Sequence, residues 1–194
     1  VQSNRARPAQ FGPAFSPVLE AAQVGAGWAF TQLFQAYGPA VAGYLRVQRV
    51  PDPDGLANEV FLRVFRGIER FEGSEDKFRS WVFTIAHHVL VDEFRRASRR
   101  PMEQDGGDDI IVLESGGNAE DDAMDRLADG EVRELLDGLA PDQRDVLLLR
   151  VVGDLTVEQV AETLGKTPGA VKQLQRRGLE SLRRKISLSE AVPL

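Results

Sequence analysis

Residues 155–185 read LTVEQVAETLGKTPGAVKQLQRRGLESLRRK, and they decide the fold of the carboxyl-terminal part of the chain. Two helix starts are written into this stretch. Thr156-Val157-Glu158-Gln159 is a capping-box pattern, in which the end residues each satisfy the other's backbone N–H. Thr167-Pro168 supplies an amino cap followed by proline at the first helical position, where the missing N–H costs nothing. Gly165 provides the tight turn between them. Val157, Val160, Ala161 and Leu164 are expected to face Val171, Leu174 and Leu179 as the buried side. That leaves Lys172, Gln173, Gln175, Arg176 and Arg177 on or beside the exposed side. A short helix, a tight turn and a longer basic helix have helix-turn-helix spacing, and such a second helix fits the DNA major groove. There arginine pairs with guanine edges and glutamine with adenine, while other bases and helix amino-terminal N–H groups hold phosphates. The bland alternative is a helical hairpin with a solvated basic face.

Upstream, the pattern predicts a helix from Pro141, a residue favoured just inside a helix start, to about Val152, stopped by Gly153. Another helical pattern runs from Leu127 to Leu139. Before them, PMEQDGGDDIIVLESGGNAEDDA opens at Pro101 and is too rich in glycine and acid to support a packed core. We expect residues 101–127 to be a flexible acidic linker. It divides the chain into domains over 25–100 and 128–187, followed by a tail over 188–194.

The first domain also reads as helical. From Trp28, the residues Phe30, Leu33, Phe34, Tyr37, Val41, Tyr44 and Leu45 recur at spacings of three and four, with Gly38-Pro39 as a bend or break. Pro51-Asp52-Pro53-Asp54 marks a turn and the start of a helix carrying Leu56, Val60, Phe61, Val64, Phe65 and Ile68. A loop follows near Phe71-Glu72-Gly73. A further helix then carries Trp81, Ile85, Val89 and Phe94 and ends in Arg95, Arg96, Arg99 and Arg100. Residues 1–24, with three prolines and few periodic apolar positions, are expected to form a disordered tail. The fold class expected is all-α: two small helical domains joined by a flexible acidic linker.

Charge and composition narrow the function. The net charge is −6, which taken alone argues against a nucleic-acid partner, but the charges are segregated. Residues 101–130 carry 10 acids and only Arg126, whereas residues 156–186 hold seven bases against three acids. The absence of cysteine excludes a disulfide framework, a thiolate metal site and a cysteine nucleophile. No apolar run approaches the roughly 18 to 20 residues of a membrane span, and no signal core follows a basic segment. The chain is expected to be soluble and cytoplasmic, without membrane insertion. No Gly-rich phosphate loop, metal-ligand spacing or Ser/His/Asp arrangement points to an enzyme, and no cofactor or metal is expected. His87-His88 does not suit a metal, because adjacent helical residues point about 100° apart and no further ligand completes a site.

LLLRVVGDLTVEQVAETLGKTPGAVKQLQRRGLESLRRK (147–185) resembles the promoter-binding carboxyl-terminal domain of bacterial extracytoplasmic-function sigma factors, a subfamily of the sigma-70 family. LANEVFLRVFRGIERFEG (56–73) and FRSWVFTIAHHVLVDEFRR (78–96) resemble that family's amino-terminal domain, in the same order. The resemblance implies a subunit that binds core RNA polymerase and directs promoter-specific initiation. It places Leu56, Asn58, Glu59, Phe61 and Leu62 on the helix that docks against polymerase, although Leu56 and Phe61 read equally well as core. Asn58 stands where the family usually has glutamine.

The resemblance matches the loop Phe71 to Phe78 and the following helix to the segments that read and open the minus-ten element. Its contacts would be Lys77, Arg79, Trp81, His87, His88, Arg95, Arg96, Arg99 and Arg100. Trp81 is also a core position by its apolar neighbours, and the arginine run is also a plausible solvated helix end. On the minus-thirty-five element the contacts would be Thr167, Lys172, Gln173, Arg176 and Arg177, with Arg183 and Arg184 on the backbone. An anti-sigma protein is a further implied partner. Two rival readings are a response-regulator-type factor, which needs an α/β first half, and a polymerase-binding adaptor that never touches DNA. Helical periodicity in the first 100 residues opposes the former, and the basic recognition helix the latter.

Overall fold

The computed structural model describes residues 10–99 and 133–190, with side chains to residue 187. The linker expected over 101–127, together with Arg100, lies outside them. The described elements are α1 (Phe15–Gln23), α2 (Gly27–Val47), α3 (Pro53–Gly67), α4 (Glu75–Arg99), α5 (Pro141–Val151), α6 (Val157–Leu164) and α7 (Pro168–Glu190), with 3-10 turns at Gly12–Ala14 and Ile68–Arg70. Residues 133–136 add one helical turn, and no strand occurs among the described residues.

Helix α2 buries Leu33, Tyr37, Val41, Tyr44 and Leu45 of the sequence pattern together with Ala29, while Phe30 and Phe34 pack partly buried against the same core. It runs unbroken through Pro39, and a Cβ added at Gly38 would lie 3.6 Å from the Phe34 ring. Helix α3 starts where expected. Asp52 accepts from the Gly55 N–H at 2.8 Å and Pro53 opens the helix. Helices α2, α3 and α4 enclose a core in which the Phe78 ring lies 5.4 Å from Tyr37, 5.2 Å from Phe71 and 5.8 Å from Trp81.

The tail expected through residue 24 is corrected in its second half. Residues 10–24 form a 3-10 turn and helix α1, which buries Phe15, Val18, Leu19 and Ala22 against α2 and the Ile68–Arg70 turn. Pro17 is compatible with this helix because it sits in the first turn, where an N–H has no intrahelical partner. Residues 1–9 lie outside the described part.

In the second domain, Val146, Leu149, Leu155, Val160, Ala161 and Val171 form the core between α5, α6 and α7. The buried stripe of α7 is Val171, Leu174, Gly178 and Leu182. The expected Leu179 lies one residue, or roughly 100°, off that stripe and is 37% exposed. Gly178 takes its place because a Cβ there would stand 2.9 Å from Leu147 Cδ1. The last helix runs to Glu190, past the boundary expected at residue 187.

Thr156 caps α6 in a complete capping box: its hydroxyl accepts from Gln159 N–H at 3.2 Å, and Gln159 Oε1 accepts from Thr156 N–H at 2.8 Å. Thr156→Ala is expected to lower unfolding stability by about 1 kcal/mol, measured by urea titration, with little change in the slope.

The two domains meet along a polar seam. Gln48 Nε2 donates to Asp145 Oδ1 at 2.7 Å, and Arg133 Nε donates to the Arg46 carbonyl at 2.9 Å. The hydroxyls of Thr84 and Thr163 lie 2.8 Å apart, and Arg49 pairs with Asp137. At Gly153 the backbone also comes close to the first domain: an added Cβ would lie 3.2 Å from Phe83 Cδ1.

Candidate nucleic-acid interface

Gly165 closes α6 in the left-handed conformation, φ 61°, ψ 35°, a placement that favours glycine. Thr167 then accepts the Ala170 N–H at 3.2 Å, so α7 leaves the turn at a fixed angle. On α7, Lys172, Gln173, Arg176, Arg177, Arg183 and Arg184 are all exposed, and Thr167 is exposed at its start. At 100° per residue these six fall within an arc of roughly 140°, opposite the buried stripe. Their internal ties are weak: Arg176 reaches Glu180 at 3.4 Å and Arg184 reaches Ser181 Oγ at 3.2 Å, all on the surface. Lys185 is different, since its Nζ donates to the Glu134 carbonyl at 2.9 Å and fastens the helix to its own domain.

On α4 the same helical arithmetic separates the expected minus-ten contacts. Lys77, Trp81, His88, Arg95 and Arg99 fall within about 40° of one another. All but the half-buried Trp81 are exposed. Trp81 stacks on Phe71 at 5.1 Å and covers Gly67, where a Cβ would stand 2.9 Å from the indole. It is thus both core and surface. Arg96 is exposed beside this stripe, paired with Glu93 at 3.4 Å.

Arg79 and His87 lie on other faces. Arg79 is only 16% exposed; its guanidinium lies 5.8 Å from the Tyr37 ring centre and 3.4 Å from Asp154 of the second domain. His87 Nδ1 lies 3.2 Å from Tyr44 Oη, on the side facing Asp145. Both are corrected as surface contacts, because in this arrangement the second domain covers them.

Burial governs the ionisation at this junction. It pushes His87 below the usual histidine range, with Asp145 acting the other way and His88 reinforcing it. Burial likewise pushes Asp145 above the usual carboxylate range, against the Gln48 hydrogen bond and His87. A histidine held low binds fewer protons in the closed form than when released. Its neutral burial therefore costs stability once pH falls below about 6.5. Asp145, held high, opposes this only as pH approaches its own raised value. The junction is expected to loosen as pH falls through about 6.5, and His87→Gln to flatten that dependence, read from thermal melting of the two proteins.

On α3, Leu62 is 50% exposed, and Asn58 and Glu59 are half-buried. Glu59 pairs with Arg63 at 2.8 Å, and Arg63 also reaches Asp92 of α4 at 3.3 Å. Phe61 is corrected: it is 2% exposed, with its ring 4.8 Å from Phe34, and belongs to the core. Leu56 is half-buried against the same core. Among the described residues no group of His, Asp and Glu could hold a metal, and no helix is long and apolar enough to cross a membrane.

The family description Sigma-70 region 2 matches residues 33–100, and Sigma-70, region 4 matches residues 135–184. The chain is 31% identical over 150 residues to the ECF RNA polymerase sigma factor ShbA of Streptomyces griseus, covering 71% of this chain and 76% of that protein. It is also 31% identical over 169 residues to the ECF RNA polymerase sigma factor BldN of Streptomyces coelicolor, covering 86% of this chain but 64% of BldN, so it spans somewhat less than two thirds of that relative. A solved structure of CnrH in complex with the cytosolic domain of CnrY shares the fold, with a TM-score of 0.64 at 23% identity over 89% of this chain and 96% of CnrH. With both regions present in order, one on the α2–α4 bundle and one on the helix-turn-helix, the chain belongs to the ECF group of RNA polymerase sigma factors.

Proposed function

We propose that this sigma factor docks on core RNA polymerase through the exposed face of α3 and directs initiation by reading promoters with two separate basic faces. The exposed stripe of α7 takes the minus-thirty-five element in the major groove. The α4 stripe, with the loop before it, takes the opened minus-ten strand. Unpaired bases are recognised by stacking and edge contacts in a basic groove, and the half-buried Trp81, on the same helix stripe as Lys77 and His88, has that chemistry. The observation that carries the reading is the α7 stripe: Lys172, Gln173, Arg176 and Arg177 stand free of the core on a helix fixed by Gly165 and Thr167. An anti-sigma protein that covers these faces, and a place in the cytoplasm, complete the proposal on the strength of the family.

The test is in vitro transcription from genomic fragments with purified sigma-free core polymerase, with and without this protein. Discrete new transcripts are expected only when it is added. Identical transcripts from core alone, with unaided dimeric binding to duplex DNA, would replace this reading by that of an ordinary transcription factor. The docking face has its own test. Asn58→Ala/Leu62→Ala is expected to weaken assembly with core polymerase about tenfold, measured by competition with a labelled sigma factor, while the melting temperature changes little.

A further inference from the structure

The loop that the proposed function assigns to minus-ten recognition is held from outside the matched region. Residues 10–23 precede the region 2 match, which begins at residue 33, yet they grip this loop at both ends. At its entry, Gln23 Nε2 donates to the Phe71 carbonyl at 2.8 Å and to the Ile68 carbonyl at 3.2 Å. At its exit stands Glu75, buried at 8% exposure. Its carboxylate accepts from Gly12 N–H at 2.9 Å, Phe11 N–H at 3.1 Å and Tyr37 Oη–H at 3.2 Å. The ring of Phe15 packs 5.5 Å from Phe78, directly behind the loop. Between the two grips Glu72, Gly73 and Ser74 are exposed, and a Cβ on Gly73 would meet Lys77 at 2.9 Å, so the loop tip is tight as well as anchored.

We propose that residues 10–23 are a clasp that presents the 72–74 loop tip in one conformation to an unpaired promoter base, with Gln23 and Glu75 as positioning residues. This rests on the minus-ten reading above. A buried carboxylate with three donors and an amide bridging two carbonyls satisfy groups that would otherwise need water, and they fix the loop at both flanks. Bases are discriminated only when the reading groups are held close to productive geometry, so the clasp acts on specificity without touching DNA.

The experiment compares holoenzymes carrying the wild-type chain, Gln23→Glu and Gln23→Lys on a cognate promoter, on templates with single-base changes in the minus-ten element, and on a template with the minus-thirty-five element scrambled. Gln23→Glu is nearly isosteric but aims an acceptor at two carbonyls, whereas Gln23→Lys keeps a donor, the chemistry Lys185 already uses toward two carbonyls. Gln23→Glu is expected to lower the minus-ten discrimination ratio by about fivefold, leaving minus-thirty-five dependence and polymerase assembly intact, and Gln23→Lys to restore it. Full minus-ten discrimination in Gln23→Glu overturns the clasp alone. So does a parallel loss of minus-ten discrimination, minus-thirty-five dependence and assembly, since that marks a folding defect. A wild-type holoenzyme indifferent to the minus-ten changes overturns the clasp together with the reading it rests on.

Discussion

Arg176→Ala/Arg177→Ala is expected to reduce transcription from minus-thirty-five-dependent promoters by about 100-fold while leaving the fold intact. Each arginine that pairs with a base edge contributes about 1–3 kcal/mol of discrimination, and the two sit on adjacent positions of one exposed helix. Nothing in the protein depends on them to the same degree. Arg176 has a surface contact with Glu180 at 3.4 Å, a pair worth only about 0.3–0.5 kcal/mol. Its loss also frees Glu180, whose charge would add repulsion wherever this face meets phosphate. Melting should therefore be unchanged when transcription has nearly gone. Arg183→Ala/Arg184→Ala serves as the comparison. If these two hold backbone phosphates, the loss should be smaller, similar across promoter sequences, and accompanied by a salt slope shallower by roughly two. Wild-type transcript levels from the Arg176/Arg177 variant would remove α7 from promoter reading.

Phe78→Ala is expected to destabilise the first domain by about 3–5 kcal/mol. The ring is fully buried and meets Phe15 of α1, Tyr37 of α2, Phe71 of the loop and Trp81 of α4, with centroids 5.2 to 5.8 Å away. No single neighbour can collapse into the space without leaving the others, so the cavity persists. A loss of this size is a large part of the roughly 5–15 kcal/mol that holds a typical domain together. Urea unfolding followed by tryptophan fluorescence should show the midpoint falling steeply. Phe94→Ala, at a side chain 46% exposed, should change stability by about 0.5 kcal/mol or less.

These two sites also mark what is legible in the sequence alone. The helix-turn-helix is legible because its signals are local: a capping box at Thr156, a glycine at 165, an amino cap at Thr167, and bases left over once the apolar stripe is removed. The helices of the first domain are legible for the same reason. Phe61 is legible as core from its spacing, and burial removes only the surface role it was also given. Leu179 fails on register, since neighbours on a helix point about 100° apart and both Gly178 and Leu179 fit an apolar tally. Only tertiary contact, of Leu147 with Gly178, chooses between these two.

Helix α1 escapes the sequence reading although Phe15, Val18, Leu19 and Ala22 carry the three-four spacing, because the nearby prolines look like breakers rather than first-turn residues. Arg79 and His87 are out of reach for another reason. Their partners, Asp154 and Asp145, are more than 50 positions away, and nothing local to α4 says that a second domain will land there.

The hydrogen bonds and ion pairs that cross the seam between the domains are each worth about 0 to 1.5 kcal/mol net. Polar contacts hold the halves together more weakly than the apolar contacts that fill each core, and if the shut form exchanges with a parted one, binding is governed by the balance between them. Any ligand that needs Arg79 turned outward binds only the parted fraction. Its apparent dissociation constant is the intrinsic one divided by that fraction, so a chain parted one time in about 100 binds about 100-fold more weakly than its own surface permits. A partner that holds the halves apart restores the full affinity without contacting a single base.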